Sequence, residues 1–299
     1  MSSISTAKPL PSSADTAAVP TLVQTTVGAV IGVTQRGARA FKGIPFARAS
    51  RFKRATPVPV WDAPLRVTAF GPVAPQRGHV SIAGEDACLT LNIWTPAEAR
   101  DRPLPVLFFI HGGAFITGAG SDYDGAYLAR TGSAVIVTIN YRLGPLGFLQ
   151  LHRLGGALGE ANNLAITDVL AALDWISCNI AAFGGDPEAV TLCGQSAGAS
   201  LVVTLMTLPQ ARAKFARSIA FSVPGRGIMP SAQADDIADR FLAALELQPR
   251  EADRIIAAPL EPELHCDITV TLGLLAGCAR RRRTANVAAA PASKARRPT

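Results

Sequence analysis

Charge is sparse in this chain, and so are aromatics, cysteines and acids near the C-terminus. Charged residues make up 17% of 299 positions, against 48% hydrophobic ones. With a mean hydropathy of +0.25, that balance excludes global disorder and leaves enough apolar material for a substantial core. No apolar run reads as long enough to span a bilayer, and the N-terminal stretch from Met1 to Pro20 lacks the apolar centre of a signal peptide. The expectation is therefore a cytoplasmic protein with no membrane association. The five cysteines (Cys88, Cys178, Cys193, Cys266 and Cys278) are odd in number, and their spacing fits neither a zinc site nor a disulfide framework. A reducing compartment follows. No internal repeat is present.

The net charge of +7 would suggest a polyanion partner if it were spread over the chain. It is not. Arg280 to Arg283, Lys294, Arg296 and Arg297 account for all of the excess, and no acid lies between Arg280 and Thr299. A basic tail binds polyanions weakly, and no recognition motif accompanies this one, so no specific nucleic-acid role is expected.

Along the chain, Thr25 to Ile31 and Ala40 to Ile44 read as small strands, and Leu89 to Trp94 alternates as a half-solvated strand does. Val106 to Ile110 and Val135 to Ile139 are continuously apolar and β-prone, which predicts strands covered on both faces in a mostly parallel sheet. Between Asn163 and Phe183 the period changes: Leu164, Val169, Ala172, Leu173, Ile176 and Ile180 recur at helical steps, and Gly184-Gly185-Asp186-Pro187 stops the helix. Ser218 to Val223 reads as a further buried strand, and Ala232 to Leu247 as a helix. Strands alternating with helices give an α/β architecture. From His265 the character changes: Cys266 to Leu275 is short and apolar, and the rest is Arg, Ala and Pro without periodicity. Three segments follow: a flexible N-terminal segment (1–24), an α/β domain (25–264) and a basic low-complexity tail (265–299).

One stretch organises this pattern. Val190 to Cys193 is a short buried strand that runs into Gly194-Gln195-Ser196-Ala197-Gly198, after which helix formers take over. A serine held at a sharp strand-to-helix turn needs glycine two residues before and two after it, where a larger side chain would clash. The helix also points its free N–H groups at charge developing beside the serine. Acyl transfer through such a serine requires donors aimed at an oxyanion, a base and an orienting acid. Ile110-His111-Gly112-Gly113-Ala114-Phe115 follows an apolar strand, so the backbone N–H groups of Gly113 and Ala114, with that of Ala197, form a three-donor oxyanion hole. His111 reads as a support for this loop and not as the base. Cys193 reads as a small core residue.

These pieces, in this order, resemble the N-terminal half of the type-B carboxylesterases, the family of para-nitrobenzyl esterases and cholinesterases. The resemblance is carried by Phe41-Lys42-Gly43-Ile44-Pro45, Arg51-Phe52 with Trp61, and Phe70 to Gln76. It continues through Glu85-Asp86 with Leu89, Leu91-Asn92, the His111 loop, Asn140 to Gly144, Asn163-Leu164 with Asp168, Asn179 to Pro187, and the elbow. It covers Thr25 to Leu260. It implies an α/β-hydrolase fold with the C-terminal part of the fold absent, Ser196 as nucleophile, Gly113, Ala114 and Ala197 as oxyanion donors, small apolar esters as substrates, and no metal or organic cofactor. In the family the acid and the base lie further on than this chain reaches. Asp235, Asp236, Asp239 or Glu261 with His265 satisfies the serine–acid–histidine order, which leaves His265 a weak candidate for the base. Two alternatives stand beside the esterase: a truncated or frame-shifted remnant with little turnover, and a non-catalytic binding module on the same fold.

Overall fold

The structure is a computed structural model that describes residues 17–76, 87–98, 100–224 and 229–257. Glu85, Asp86, Glu261, His265, Cys266, Cys278 and the basic tail lie outside the described residues. The strands are β1 (Val19–Thr25), β2 (Gly28–Gln35), β3 (Ala38–Pro45), β4 (Ala47–Arg48), β5 (Thr56–Pro57), β6 (Leu65–Arg66), β7 (Thr90–Pro96), β8 (Leu104–Ile110), β9 (Val135–Ile139), β10 (Gly185–Gln195) and β11 (Arg217–Phe221). The helices are α1 (Ala126–Arg130), α2 (Gly144–Phe148), α3 (Leu164–Asn179), α4 (Ala197–Thr207) and α5 (Ser231–Ala244).

The main sheet runs β1-β2-β3-β7-β9-β8-β10-β11, with β6 beside β2. Its N-terminal half is antiparallel, from β1 as far as the β7–β9 pair. The half holding β9, β8, β10 and β11 is parallel. The elbow strand therefore sits in the parallel half, where helical crossovers cover the sheet. Leu192, Val106, Phe108, Ile110, Val137 and Ile139 form the core of this half with Val169, Leu173 and Ile176 of α3 and Leu201 and Leu205 of α4. A second, smaller cluster holds α5 through Ile237, Phe241 and Leu242 against Phe52, Leu149, Leu151 and Leu158.

Four local expectations change. The first strand starts at Val19, not at Thr25. The Thr25 hydroxyl donates to the Gly28 carbonyl (2.6 Å) and accepts from the Val27 N–H (3.3 Å), and this local bonding sets the turn at Thr26 and Val27. Strand β7 is buried along its whole length and not half-solvated. Its polar residues are paired inside: Asn92 donates to Thr138 Oγ1 (3.0 Å) and accepts from the Gly43 N–H (2.9 Å). The stretch Leu164–Phe183 is in fact long and apolar enough to cross a membrane. It is nevertheless a core helix, because Asp168 and nine other α3 residues are buried inside the protein. Finally, β11 is not buried. It ends the sheet among the described residues, and Ile219, Phe221 and Val223 are exposed beside Val203 and Met206 of α4.

Asp168 pairs with Arg142, and both side chains are almost fully removed from solvent. The contact is a two-point fork. Nη2 donates to Oδ1 (2.6 Å) and Nε to Oδ2 (2.8 Å), while the Arg142 backbone N–H also donates to Oδ2 (3.1 Å). Arg142 Nη1 donates to the Lys53 carbonyl (2.7 Å), so one guanidinium ties the segment after β9 to α3 and to the chain before β5.

Removing the Asp168 carboxylate would leave that guanidinium buried without its carboxylate counter-charge. Asp168→Ala is expected to lower unfolding stability by about 3–5 kcal/mol, read as a shift of the urea midpoint. A second expectation concerns the sheet edge. An unpaired apolar strand is an aggregation template, so the purified chain should bind a hydrophobic dye strongly, and Phe221→Lys should reduce both dye binding and light scattering. A dye-silent monomer with a sharp melt would contradict this.

Candidate active site

The site forms where the C-terminal ends of β8 and β10 lie side by side, Ile110 pairing with Gly194. From Gln195 the chain turns directly into α4. Ser196 at the corner has φ 54° and ψ −118°, a conformation that costs a non-glycine residue about 1–3 kcal/mol. Neighbouring bonds hold it there: its N–H donates to the Phe221 carbonyl (2.9 Å), and its carbonyl accepts from the Ser200 N–H (3.0 Å). Ser196 is half-buried and, among the described residues, its hydroxyl caps nothing and has no hydrogen-bond partner.

Two glycines make the turn possible by their lack of a Cβ. At Gly194 a Cβ would lie 2.5 Å from the Gly198 carbonyl, and at Gly198 one would lie 2.1 Å from the Ile110 carbonyl oxygen. The turn therefore presses α4 onto the end of β8. The loop following β8 is equally tight against the serine, since a Cβ on Gly112 would lie 3.3 Å from Ser196 Cβ. The structure thus brings Ser196, Ala197 and the His111–Phe115 loop together. Gly113, Ala114 and Phe115 follow at φ 107°, 53° and 64°. Phe115 buries its ring edge-on to Phe148 (centroids 4.9 Å apart), and this burial holds the strained run in place.

With this geometry established, comparison with known proteins is informative. The carboxylesterase family matches residues 19–256. The chain belongs to the carboxylesterase family. The para-nitrobenzyl esterase of Bacillus subtilis is 38% identical over 247 residues, covering 78% of this chain and 50% of the relative. The phenmedipham hydrolase of Pseudarthrobacter oxydans is 40% identical over 220 residues, 68% of this chain and 43% of the relative. Among solved structures, a Geobacillus stearothermophilus carboxylesterase superposes with a TM-score of 0.75 at 39% identity, covering 85% of this chain and 55% of the other. The fold is accordingly the α/β-hydrolase fold, and the chain spans about half the length of the relatives it matches.

His111 is buried at 1% exposure. Its Nδ1 lies 2.7 Å from the Gly112 carbonyl and is therefore the protonated nitrogen, because a carbonyl can only accept. The ring stacks on Tyr141 (centroids 4.4 Å apart, planes within 17°). Burial is the main cause that lowers its pKa to about 4, and it outweighs the Gly112 hydrogen bond and the Asp122 charge, which act the other way. His111 is thus a neutral support for the loop. Cys193 lies in β10, and burial raises its thiol pKa, as suits a core residue.

The acidic candidates are engaged elsewhere. Asp235 accepts from Gln150 (2.8 Å) and faces Arg153 (3.3 Å), Asp239 also pairs with Arg153, and Asp236 pairs with Arg240 one turn on. They form the solvated face of α5. Sequence reasoning missed Tyr141, whose hydroxyl donates to the His111 carbonyl (3.0 Å). Its signal was its place in the Asn140 to Gly144 motif at the end of an apolar strand, which gave Tyr141 no role of its own.

His111 makes folding pH-dependent with a definite sign. In the unfolded chain it takes up a proton near its ordinary value of 6.5, but in the fold only near 4. Its contribution is complete above pH 6.5 and is lost as pH falls towards 4, by about 3 kcal/mol at 1.36 kcal/mol per unit. His111→Gln should flatten that part of the stability–pH curve, measured by denaturant midpoints at pH 4.5 and 7.

Proposed function

We propose that this chain is a carboxylic ester hydrolase that acts through an acyl-Ser196 intermediate on small apolar esters. The observation that carries the reading is the positive-φ Ser196 at the strand-to-helix corner, packed directly against a glycine loop. Attack by Ser196 Oγ on an ester carbonyl places negative charge on the carbonyl oxygen. The N–H groups of Gly113, Ala114 and Ala197 serve as its donors, each worth about 3 kcal/mol of transition-state stabilisation. They are backbone groups held by the fold, so little reorganisation is needed when the charge develops. The hydroxyl proton passes to solvent water; collapse of the tetrahedral adduct breaks the ester C–O bond and expels the alkoxide, which takes a proton from water, and the acyl group stays on Ser196 until water releases the acid. This chemistry calls for no metal or cofactor.

His111 does not serve as the base, because its Nδ1 is committed to Gly112 and the ring is sealed from solvent. His152 is exposed and, among the described residues, neither it nor any carboxylate is hydrogen-bonded to Ser196 Oγ. With no base among the described residues, catalysis by these residues rests on the oxyanion donors and on substrate binding, which by themselves leave about 10³- to 10⁴-fold acceleration over water.

Hydrolysis of a para-nitrophenyl ester by the full chain is expected to be slow or stoichiometric, with one acyl group retained per chain and none in Ser196→Ala. An unchanged rate in Ser196→Ala would refute the proposal. Brisk turnover that His265→Ala abolishes would make His265 the base.

A further inference from the structure

The loop beside Ser196 carries three successive residues at positive φ, and a strained run of this kind persists only where its surroundings restrain it. The restraint at its far end comes from a segment outside the sheet. Gln76 is buried at 3% exposure, and three of its four side-chain hydrogen bonds go to Thr117 and Gly118. Oε1 accepts from the Gly118 N–H (2.7 Å) and from the Thr117 hydroxyl (2.7 Å). Nε2 donates to the Gly118 carbonyl (3.0 Å) and to the Ala74 carbonyl (3.1 Å). A single side-chain amide therefore satisfies both backbone groups of Gly118, as a neighbouring strand would.

This clamp connects to the proposed oxyanion donors through two contacts. The Ile116 and Thr117 N–H groups both donate to the Gly113 carbonyl (3.0 Å each). The Thr117 carbonyl also packs on Gly113 so closely that a Cβ there would lie 2.0 Å from it. A displacement of Thr117 therefore moves Gly113. The segment that carries Gln76 is itself fixed, because Asn140 donates to the Pro72 carbonyl (2.9 Å) and accepts from the Gly120 N–H (2.8 Å). Loop and segment are thus joined at two points, by two side-chain amides.

We infer that Gln76 is a positioning residue, whose amide sets the 113–118 turn and through it the direction of the Gly113 and Ala114 N–H groups. The inference rests on the Ser196 reading for its chemical consequence, but not for its structural one. The residue type is specific. Glutamate keeps the acceptors but has no N–H for the Ala74 and Gly118 carbonyls, and methionine keeps the length but makes none of these bonds.

The test compares Gln76→Glu and Gln76→Met with the unaltered full chain in two measurements. The first is amide exchange, which should rise about tenfold or more in residues 112–118 while β8 and β10 stay as protected as before. The second is the rate of covalent labelling by a para-nitrophenyl phosphonate, which should fall about 10²-fold, the effect of losing one oxyanion donor. Reversible binding of the same phosphonate should change about twofold at most. Unchanged exchange in 112–118 overturns the inference. So does faster exchange that spreads over β8 and β10, which marks a general structural role, or faster loop exchange with an unchanged labelling rate. Ser196→Ala separates the two readings. If it is labelled as fast as the unaltered chain, the nucleophile proposal fails, and the exchange result alone then decides on Gln76.

Discussion

Backbone against backbone, with no side chain between, is the constraint on which the rest of this structure depends. The Ile110 carbonyl occupies the space where a Cβ of Gly198 would be, at 2.1 Å, and the Gly198 carbonyl lies 2.5 Å from where a Cβ of Gly194 would be. Strand β8, strand β10 and helix α4 therefore meet at van der Waals distance around a single corner. With these three elements so close, Ser196 cannot relax to an ordinary conformation, and the loop after Ile110 has no route except past it. The strain at Ser196 is a consequence of close packing that the surrounding elements over-determine.

The corner needs a rigid frame, and much of that frame is polar. The Arg142–Asp168 fork, the Asn92–Thr138 pair and the amides of Asn140 and Gln76 are all buried and hydrogen-bonded. Each side chain bonds backbone or side-chain groups that are distant in sequence, which apolar residues of equal size could not do directionally. Desolvating such groups is costly. What they contribute is placement, joining loops that carry no ladder of their own to the ends of the sheet. His111 belongs to the same frame. Kept neutral by burial, it joins the loop by one hydrogen bond and one ring stack without placing a charge inside it.

Much of the fold was legible because its signals are local. Val106 to Ile110 and Val135 to Ile139 read as doubly covered strands and are fully or alternately buried in the parallel half. The helical period from Leu164 appears as α3 followed by a 3-10 turn (Ile180–Phe183), which ends at Gly184 with φ 85°. Where reading failed, distant partners decided. The alternation of Leu89 to Trp94 suggested one wet face, but Thr138 and Gly43 satisfy Asn92 inside. The apolar Ser218 to Val223 suggested burial, but among the described residues no strand lies beyond β11.

The sequence by itself determined the chemistry available at the corner. Gly-x-Ser-x-Gly after a buried strand and His-Gly-Gly after another leave few other conformations open, because a Cβ on Gly112, Gly194 or Gly198 would run into neighbouring backbone and Gly113 holds a φ of 107°. It also determined family membership, through many ordered motifs. Only the tertiary structure decided how the loop is held. Gln76, Asn140 and Tyr141 lie 41, 20 and 30 positions from their partners Thr117, Gly120 and His111. A hydrogen bond across that separation leaves no periodicity in the chain, because it depends on where folding brings the two groups and not on the residues between them.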